Sequence, residues 1–489
     1  MDEICARRLA LADRDLDAAI AVTRFGLGAR TGEISQARGD PRGFLKAQIH
    51  AQGAEQPQAN PETAQQRLAE FRDYQQDRKA MKAAQGPDDP KPGPRDPVKM
   101  AQRVLREETG ADFAARARLG AQTPEGFRER WALFWANHFT VSASKLITAT
   151  VVGPYEQEAI RPHVFATFTE LLGAAETHPA MLLYLDQAQS VGPNSMAAQY
   201  VKRGGRGVGN GVPLPAAGRT LGLNENLARE ILELHTVGVG GGYSQADVTE
   251  FARALTGLSI GGLRENPSQA GAPVFRAMAH EPGARTVMGV RYAAGGKEQA
   301  GAILADLAAK PATARFICGK IARHFVADDP PPALVDRLER RWRDTGGQLG
   351  EVAKALVDAP EAWAPTQAKF KTPYEFLISS WRAAGGAPRD ITVLAPTLNA
   401  MGQRAFSAPS PKGWPEDTAS WAAPDAIVKR MAWAQAFAAA ASADRDPRGL
   451  ATEALGARLS APTATAIARS ETRAEGLALL LMSPEFQRR

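Results

Sequence analysis

The chain has 489 residues, of which 59 are basic and 53 acidic, for a net charge of +6. A hydrophobic share of 44% beside a charged share of 23% describes a folded globular chain and excludes a disordered one. Two cysteines, Cys5 and Cys318, exclude a disulfide framework and a cysteine-rich zinc site, and no stretch reaches the ~18 apolar residues of a transmembrane helix. The basic excess forms no long run, and no helix-turn-helix, zinc-finger or RNA-binding signature occurs, so nucleic acid is not an expected partner. The N-terminal MDEICARRLALADRDLDAAI has an arginine pair without an apolar run behind it, which predicts a cytoplasmic protein on this start.

Taken in order, residues 14–28 read as a short amphipathic helix, and a second helix follows Pro41. Residues 51–98 turn Gln-, Ala- and Pro-rich. They predict a polar helical arm around 62–84 and then a proline linker, GPDDPKPGPRDP. From Thr123, a candidate cap with Pro124 behind it, Phe127, Trp131, Phe134, Trp135 and His138 recur at helical spacing, which points His138 inward. The stretch 203–219 is glycine-rich and basic. It lacks a preceding strand and a GK[ST] ending, so it reads as a loop, a candidate lid with Arg203, Arg206 and Arg219, rather than a phosphate cradle.

Residues 223–258 concentrate the chemistry. A helix over 224–237 predicts an apolar stripe of Leu227, Ile231 and Leu234, with Asn226, Glu230 and Glu233 on one border and His235 on the other. Arg229 can pair with Glu233 at i,i+4. Glycines 238–242 end that helix, and Ser244 with Asp247 reads as a capping box for a second one burying Val248, Phe251, Ala252 and Leu255. Residues 274–292 predict a β-hairpin turning at EPGA, with His280 beside the turn. After 295 the chain is helical again, apart from a loop at 402–421 whose Trp414 and Trp421 could wall a pocket. The expected fold is mainly α: a large helical domain with a small β-hairpin insertion. Residues 1–50 would supply its N-terminal helices, 51–98 the arm, and 99–489 the main body.

Several segments, quoted as they stand, resemble the bacterial family DUF 1800, a domain of unknown function. They are RFGLGA, WANHF, PAMLLYLDQAQS, NENLAREILELHTVGV, HEPGARTVMG, ARHFVADDPP, KFKTPYE and the closing SPEF. The sequence departs from the family pattern at Gln187, where Asn is usual, and at Glu281 and Arg285, where Asp and Lys are. Many members of the family look exported, so the resemblance implies a periplasmic or cell-envelope alternative if the native start carries a signal. It implies no activity.

Three readings of the carboxylate and histidine set stay open. One is a divalent-metal site, with Glu230, Glu233, His235 and His138 as candidate ligands, although the Glu-x-x-His and HExxH spacings are missing. The second is metal-free acid/base hydrolysis, with Glu230 as the raised acid, Glu233, His138 and His235 as partner groups and Arg229 as the orienting cation. Asn137, Asn226, Asp247 and His280 are then the candidate substrate contacts. The third is a non-enzymatic structural or partner-binding protein in which the acidic hairpin is a buried polar clasp. A shared cavity between His138, Glu230 and His235 would separate the first two from the third.

Overall fold

Apolar residues spaced for helices make a helical fold: the structure is 65% helical. The computed structural model describes residues 13–84, 97–203, 222–261, 269–441 and 445–489. Helix α1 (Ala64–Ala84) and helix α2 (Pro97–Gln122) lie on either side of the proline segment, whose residues 85–96 fall outside the described ones. Helix α1 is docked on α2. Phe71 and Tyr74 pack with Leu105 of α2, and the fully buried Arg67 grips Asp112 with two bonds of 2.5 and 3.0 Å. An arginine counted as polar in the sequence is here part of the interior, tolerable because a two-pronged carboxylate faces it.

Helix α3 (Gly126–His138) is the centre of the molecule. It begins later than the Thr123–Pro124 spacing predicts, since the Thr123 hydroxyl accepts the Glu125 N–H at 3.1 Å instead of capping a turn. Phe127, Trp131, Phe134 and Trp135 are at most 1% exposed, and even Glu129 is buried, held by Arg161 through two bonds of 2.8 Å. Trp131 donates to the Val164 carbonyl at 2.7 Å, which satisfies the ring nitrogen that its burial would orphan. Helix α4 (Leu146–Tyr155) packs on α1 and α2, and α5 (Phe168–Thr177) opens on a Thr167–Glu170 capping box.

The acidic hairpin comes next. Helix α6 (Asn226–Glu230) continues into a π turn, Ile231–His235, before α7 (Gln245–Leu255). The wider turn changes the register: Leu232 and His235 are fully buried, and Leu234, expected inside, is not. Gly238 sits at φ 83°, and a Cβ there would meet the Phe316 ring at 2.6 Å, so glycine is required by both conformation and space. The Ser244–Asp247 capping box is present, and Val248, Phe251, Ala252 and Leu255 are buried as their spacing predicts.

Among the described residues the β structure is two antiparallel pairs rather than one hairpin over 274–292. Strand β1 (Leu258–Ile260) pairs with β2 (Pro273–Phe275), and β3 (Arg285–Val287) with β4 (Val290–Tyr292). EPGA is the link between the pairs, and the tight reversal falls at Met288–Gly289, both at positive φ. Helices α8 (Pro311–Phe325) and α9 (Pro373–Ala384) complete the walls of the site, α9 anchored where Arg382 grips Glu33 at 2.9 Å. Among the described residues no helix is long and apolar enough to cross a membrane.

Candidate functional site

The hairpin buries its histidine and keeps most of its acids near the surface. His235 is 0% exposed, with Nδ1 2.7 Å from Oε1 of Glu176 on α5, itself 1% exposed. His138, 1% exposed, stands 5.8 Å away ring to ring. Its Nε2 faces the His235 carbonyl oxygen at 3.2 Å, and a carbonyl only accepts, so the ring proton is on Nε2. Nδ1 therefore receives the Lys320 amine at 2.8 Å. Burial first, then the charges of Lys320 and His235, hold the imidazole well below its usual range and keep it neutral. Both ring nitrogens are engaged, so His138 has none free to offer a metal. Glu230 is half-buried, and burial, with Glu233 and Glu176 adding to it against His235 and Arg229, raises its carboxyl above the ordinary value.

The other residues singled out by sequence face outward or tie backbone. Arg229 pairs with Glu225 at 3.2 Å and Gln245 at 3.0 Å rather than with Glu233, which accepts from Tyr243 at 3.3 Å. Asn226 is exposed. Asp247 caps α7 and also accepts the Met288 N–H at 2.6 Å, docking the second strand pair. His280 spans the carbonyls of Thr256 and Gly295 at 2.7 and 2.8 Å. None of His138, Glu230 and His235 lines the cavity under the 402–421 loop or the one beside β2. Residues 204–221, which hold Arg206 and Arg219 of the candidate lid, lie outside the described residues.

A cavity of about 110 Å³ does open on the other side of α3. Its floor comes from α2, α3 and α9, and its roof is the 402–421 loop. Asn137, expected to touch substrate, builds this roof: its Oδ1 accepts the Trp414 N–H at 2.8 Å and its Nδ2 donates to the Trp414 carbonyl at 3.1 Å. A Cβ on Gly413, which is at φ 83°, would overlap the Asn137 carbonyl oxygen. Phe406 is held at φ 47°, an unusual conformation for an aromatic residue, with its ring edge-on to Phe113 at 5.1 Å. Trp421, by contrast, is a buried anchor whose indole donates to the Pro415 carbonyl at 2.8 Å.

The ionisable groups of the cavity close on one another. Arg116 lies over the Phe113, Phe406 and Tyr374 rings at 4.5–5.0 Å and donates to Glu156 at 2.6 Å. Arg130 donates to Glu375 at 2.8 Å and to His324 Nε2 at 3.3 Å. A guanidinium only donates, so the His324 proton sits on Nδ1, which reaches Glu416 at 2.6 Å. Burial alone would raise Glu416, but His324 beside it, with Lys320 and Lys369, brings its carboxyl down to about 2. Burial likewise opposes Glu375, and Arg130 and His324 still leave it below its ordinary value. Both are therefore ionised at neutral pH and unsuited to general-acid work. Burial pushes the Tyr374 phenol, which lacks a partner among the described residues, up to about 12. At the mouth stands Arg404, exposed and without a described carboxylate partner.

Sequence reasoning missed Arg116, Arg130, Glu156, His324, Tyr374, Glu375 and Glu416. The signal was present but scattered, since His324, Tyr374 and Glu375 lie within ARHFVADDPP and KFKTPYE and Glu416 within the tryptophan loop. For metals, Glu62, Glu70 and Glu108 are the one set among the described residues whose ligand atoms lie within 4.8 Å of one another, on α1, α2 and the residues before α1. The hairpin carboxylates and histidines form no such set.

Fold and cavity together define a helical protein with a small cleft of aromatic rings and arginines. The chain belongs to the DUF1800 family: the family described as "Protein of unknown function (DUF1800)" matches residues 20–488, nearly its whole length. Comparison with curated proteins and with solved structures finds no match.

Proposed function

We propose that the protein binds a small organic anion in the cleft under the 402–421 loop, and that the hairpin, through its buried His235, is a polar clasp behind it. The observation that carries this reading is the pairing of an aromatic cleft with an unneutralised Arg404 at its mouth. An apolar body would lie against Phe113, Phe406 and Trp414 while the negative group meets the guanidinium. The internally closed ion pairs fit binding better than acid/base turnover, because each carboxylate already has its cation.

Thermal unfolding in the presence of benzoate, cyclohexanecarboxylate, benzyl alcohol and benzylamine tests the reading. The two carboxylates should raise the melting temperature, by an amount equivalent to about 2.7 kcal/mol at one hundred times Kd. Arg404→Gln should melt like wild type without ligand and lose that gain. Equal shifts for the alcohol and the carboxylates, or none at all, would refute it.

A metal-assisted or acid/base hydrolase centred on the hairpin is the second reading, favoured by the raised, half-buried Glu230 carboxyl. Glu230→Gln should then abolish release of nitrophenol from a panel of nitrophenyl esters and glycosides. Turnover that survives the substitution, or is absent in wild type, counts against it.

A further inference from the structure

Tyr374 lines the cleft with a phenol that the ion pairs around it leave unused. Its backbone N–H donates to Gln403 Oε1 at 2.7 Å, which ties the start of α9 to the 402–421 loop. The ring meets Phe113 edge-on at 5.7 Å, and the Arg116 guanidinium lies 5.0 Å over it. The residue is 7% exposed, yet its oxygen has no hydrogen-bond partner among the described residues. A buried hydroxyl left so is destabilising, and its presence in a cavity wall calls for a reason. The charged groups that face it are already paired: Arg116 donates to Glu156 at 2.6 Å, and Arg161 to Glu129 at 2.8 Å. A Cβ on Gly120 would touch both the hydroxyl, at 3.6 Å, and Leu27 of the cavity wall, at 3.5 Å. With its charges balanced and an apolar side chain beside it, this end of the cleft suits a neutral polar group rather than a second anion. Arg116 Nε–H, buried and likewise without a described partner, adds a second donor there. Two donors call for an acceptor, and burial keeps the phenol proton in place up to about 12.

We infer that Tyr374 is the specificity residue of the cleft: it hydrogen-bonds a neutral oxygen of the ligand, which is therefore a hydroxy- or keto-substituted carboxylate rather than a plain one. This rests on the cleft reading above and adds to it the inner end of the ligand. The carboxylate meets Arg404 at the mouth, the carbon body lies against Phe113 and Phe406, and the oxygen turns to Tyr374. A ligand without that oxygen leaves the phenol as unpartnered as before and gains from apolar contact alone. A ligand that brings the oxygen satisfies a group whose desolvation folding has already met, so the site discriminates between the two.

The test is isothermal titration calorimetry of the native full chain with benzoate, 3- and 4-hydroxybenzoate, and the two matching methylbenzoates. Methyl replaces hydroxyl at nearly equal size, so each pair isolates the hydrogen bond. The better of the two hydroxybenzoates should bind roughly 3- to 10-fold tighter than its methyl counterpart. Tyr374→Phe keeps the ring against Phe113 and removes no side-chain hydrogen bond of the free protein, so it should melt at or above the wild-type temperature. In that variant the advantage of hydroxyl over methyl should vanish, a ratio in which any general change of affinity cancels. Benzoate binding with no hydroxyl preference in wild type, or a preference that persists in Tyr374→Phe, overturns the role of Tyr374 and leaves the cleft reading standing. Binding of none of the carboxylates refutes the cleft reading and this inference with it. The wild-type comparison decides even where the variant does not fold.

Discussion

Asn137→Ala is the sharpest perturbation of the cleft, because one side chain fastens its roof. The Asn137 amide meets Trp414 as a neighbouring strand would, taking the N–H at 2.8 Å and giving to the carbonyl at 3.1 Å. Alanine removes both bonds and leaves two partly buried backbone groups to find water. Each such bond contributes about 0.5–1.5 kcal/mol net, so opening the loop becomes easier by about 1–3 kcal/mol, or roughly 5- to 150-fold. The effect should be local, since α3 is held by its aromatic packing rather than by this amide. Native-state hydrogen exchange reads it directly: the Trp414 amide should lose protection by that factor. The Phe139 amide, bonded to the Trp135 carbonyl at 2.9 Å, should keep its own. Asn137→Asp should be no better, because a carboxylate oxygen would then face the Trp414 carbonyl. Unchanged protection at Trp414, or an equal loss at both amides, would refute the argument that the roof is a separately fastened unit.

Two pH-dependent outcomes follow from buried groups outside the cleft. Burial first, with Arg130, Arg430 and Arg458 against the pull of Glu375, lowers the Lys371 amine from 10.5 to about 7. Between those values the unfolded chain carries a proton that the folded one lacks, so this lysine makes stability rise with pH by about 1.4 kcal/mol per unit, and below about 7 its penalty is complete. Lys371→Met should flatten that rise in urea midpoints taken from pH 7 to 10 and stabilise the protein at pH 7 by a few kcal/mol, on the order of the buried-charge penalty it removes. A slope like that of wild type would show the amine to be solvated. Glu230 has the opposite sense: its raised carboxyl holds a proton longer in the folded state, so its contribution is present below the ordinary carboxyl value and lost as pH rises through the raised one. Glu230→Gln should therefore gain on wild type as pH climbs through that window, and parallel curves would contradict the burial.

Helices and caps were legible in the sequence because their signals are local: Ser244 and Asp247 are three residues apart, and Val248, Phe251, Ala252 and Leu255 mark one face wherever the helix packs. The π turn was not legible, since nothing in ILELH distinguishes a turn of wider pitch, and that one change moved Leu234 out and Leu232 in. The reversal at Met288–Gly289 was masked in the same way by EPGA, which has stronger turn residues but serves as a link. The spatial arrangement of the candidate residues was hidden for a different reason. Charges crowded in sequence drew attention to the hairpin, yet on a helix neighbours in sequence point apart, and Arg229 and Glu225 settle on the surface while His235 goes inside. The cleft instead takes single groups from segments far apart in the chain, Arg130 beside Glu375 and His324 beside Glu416. Each of those alone reads as an ordinary polar residue on a helix or loop. What identifies them is mutual burial, because a carboxylate can stay ionised in the interior only where a cation has been brought to it. That places the informative feature in the pairing of a carboxylate with its cation rather than in either residue alone.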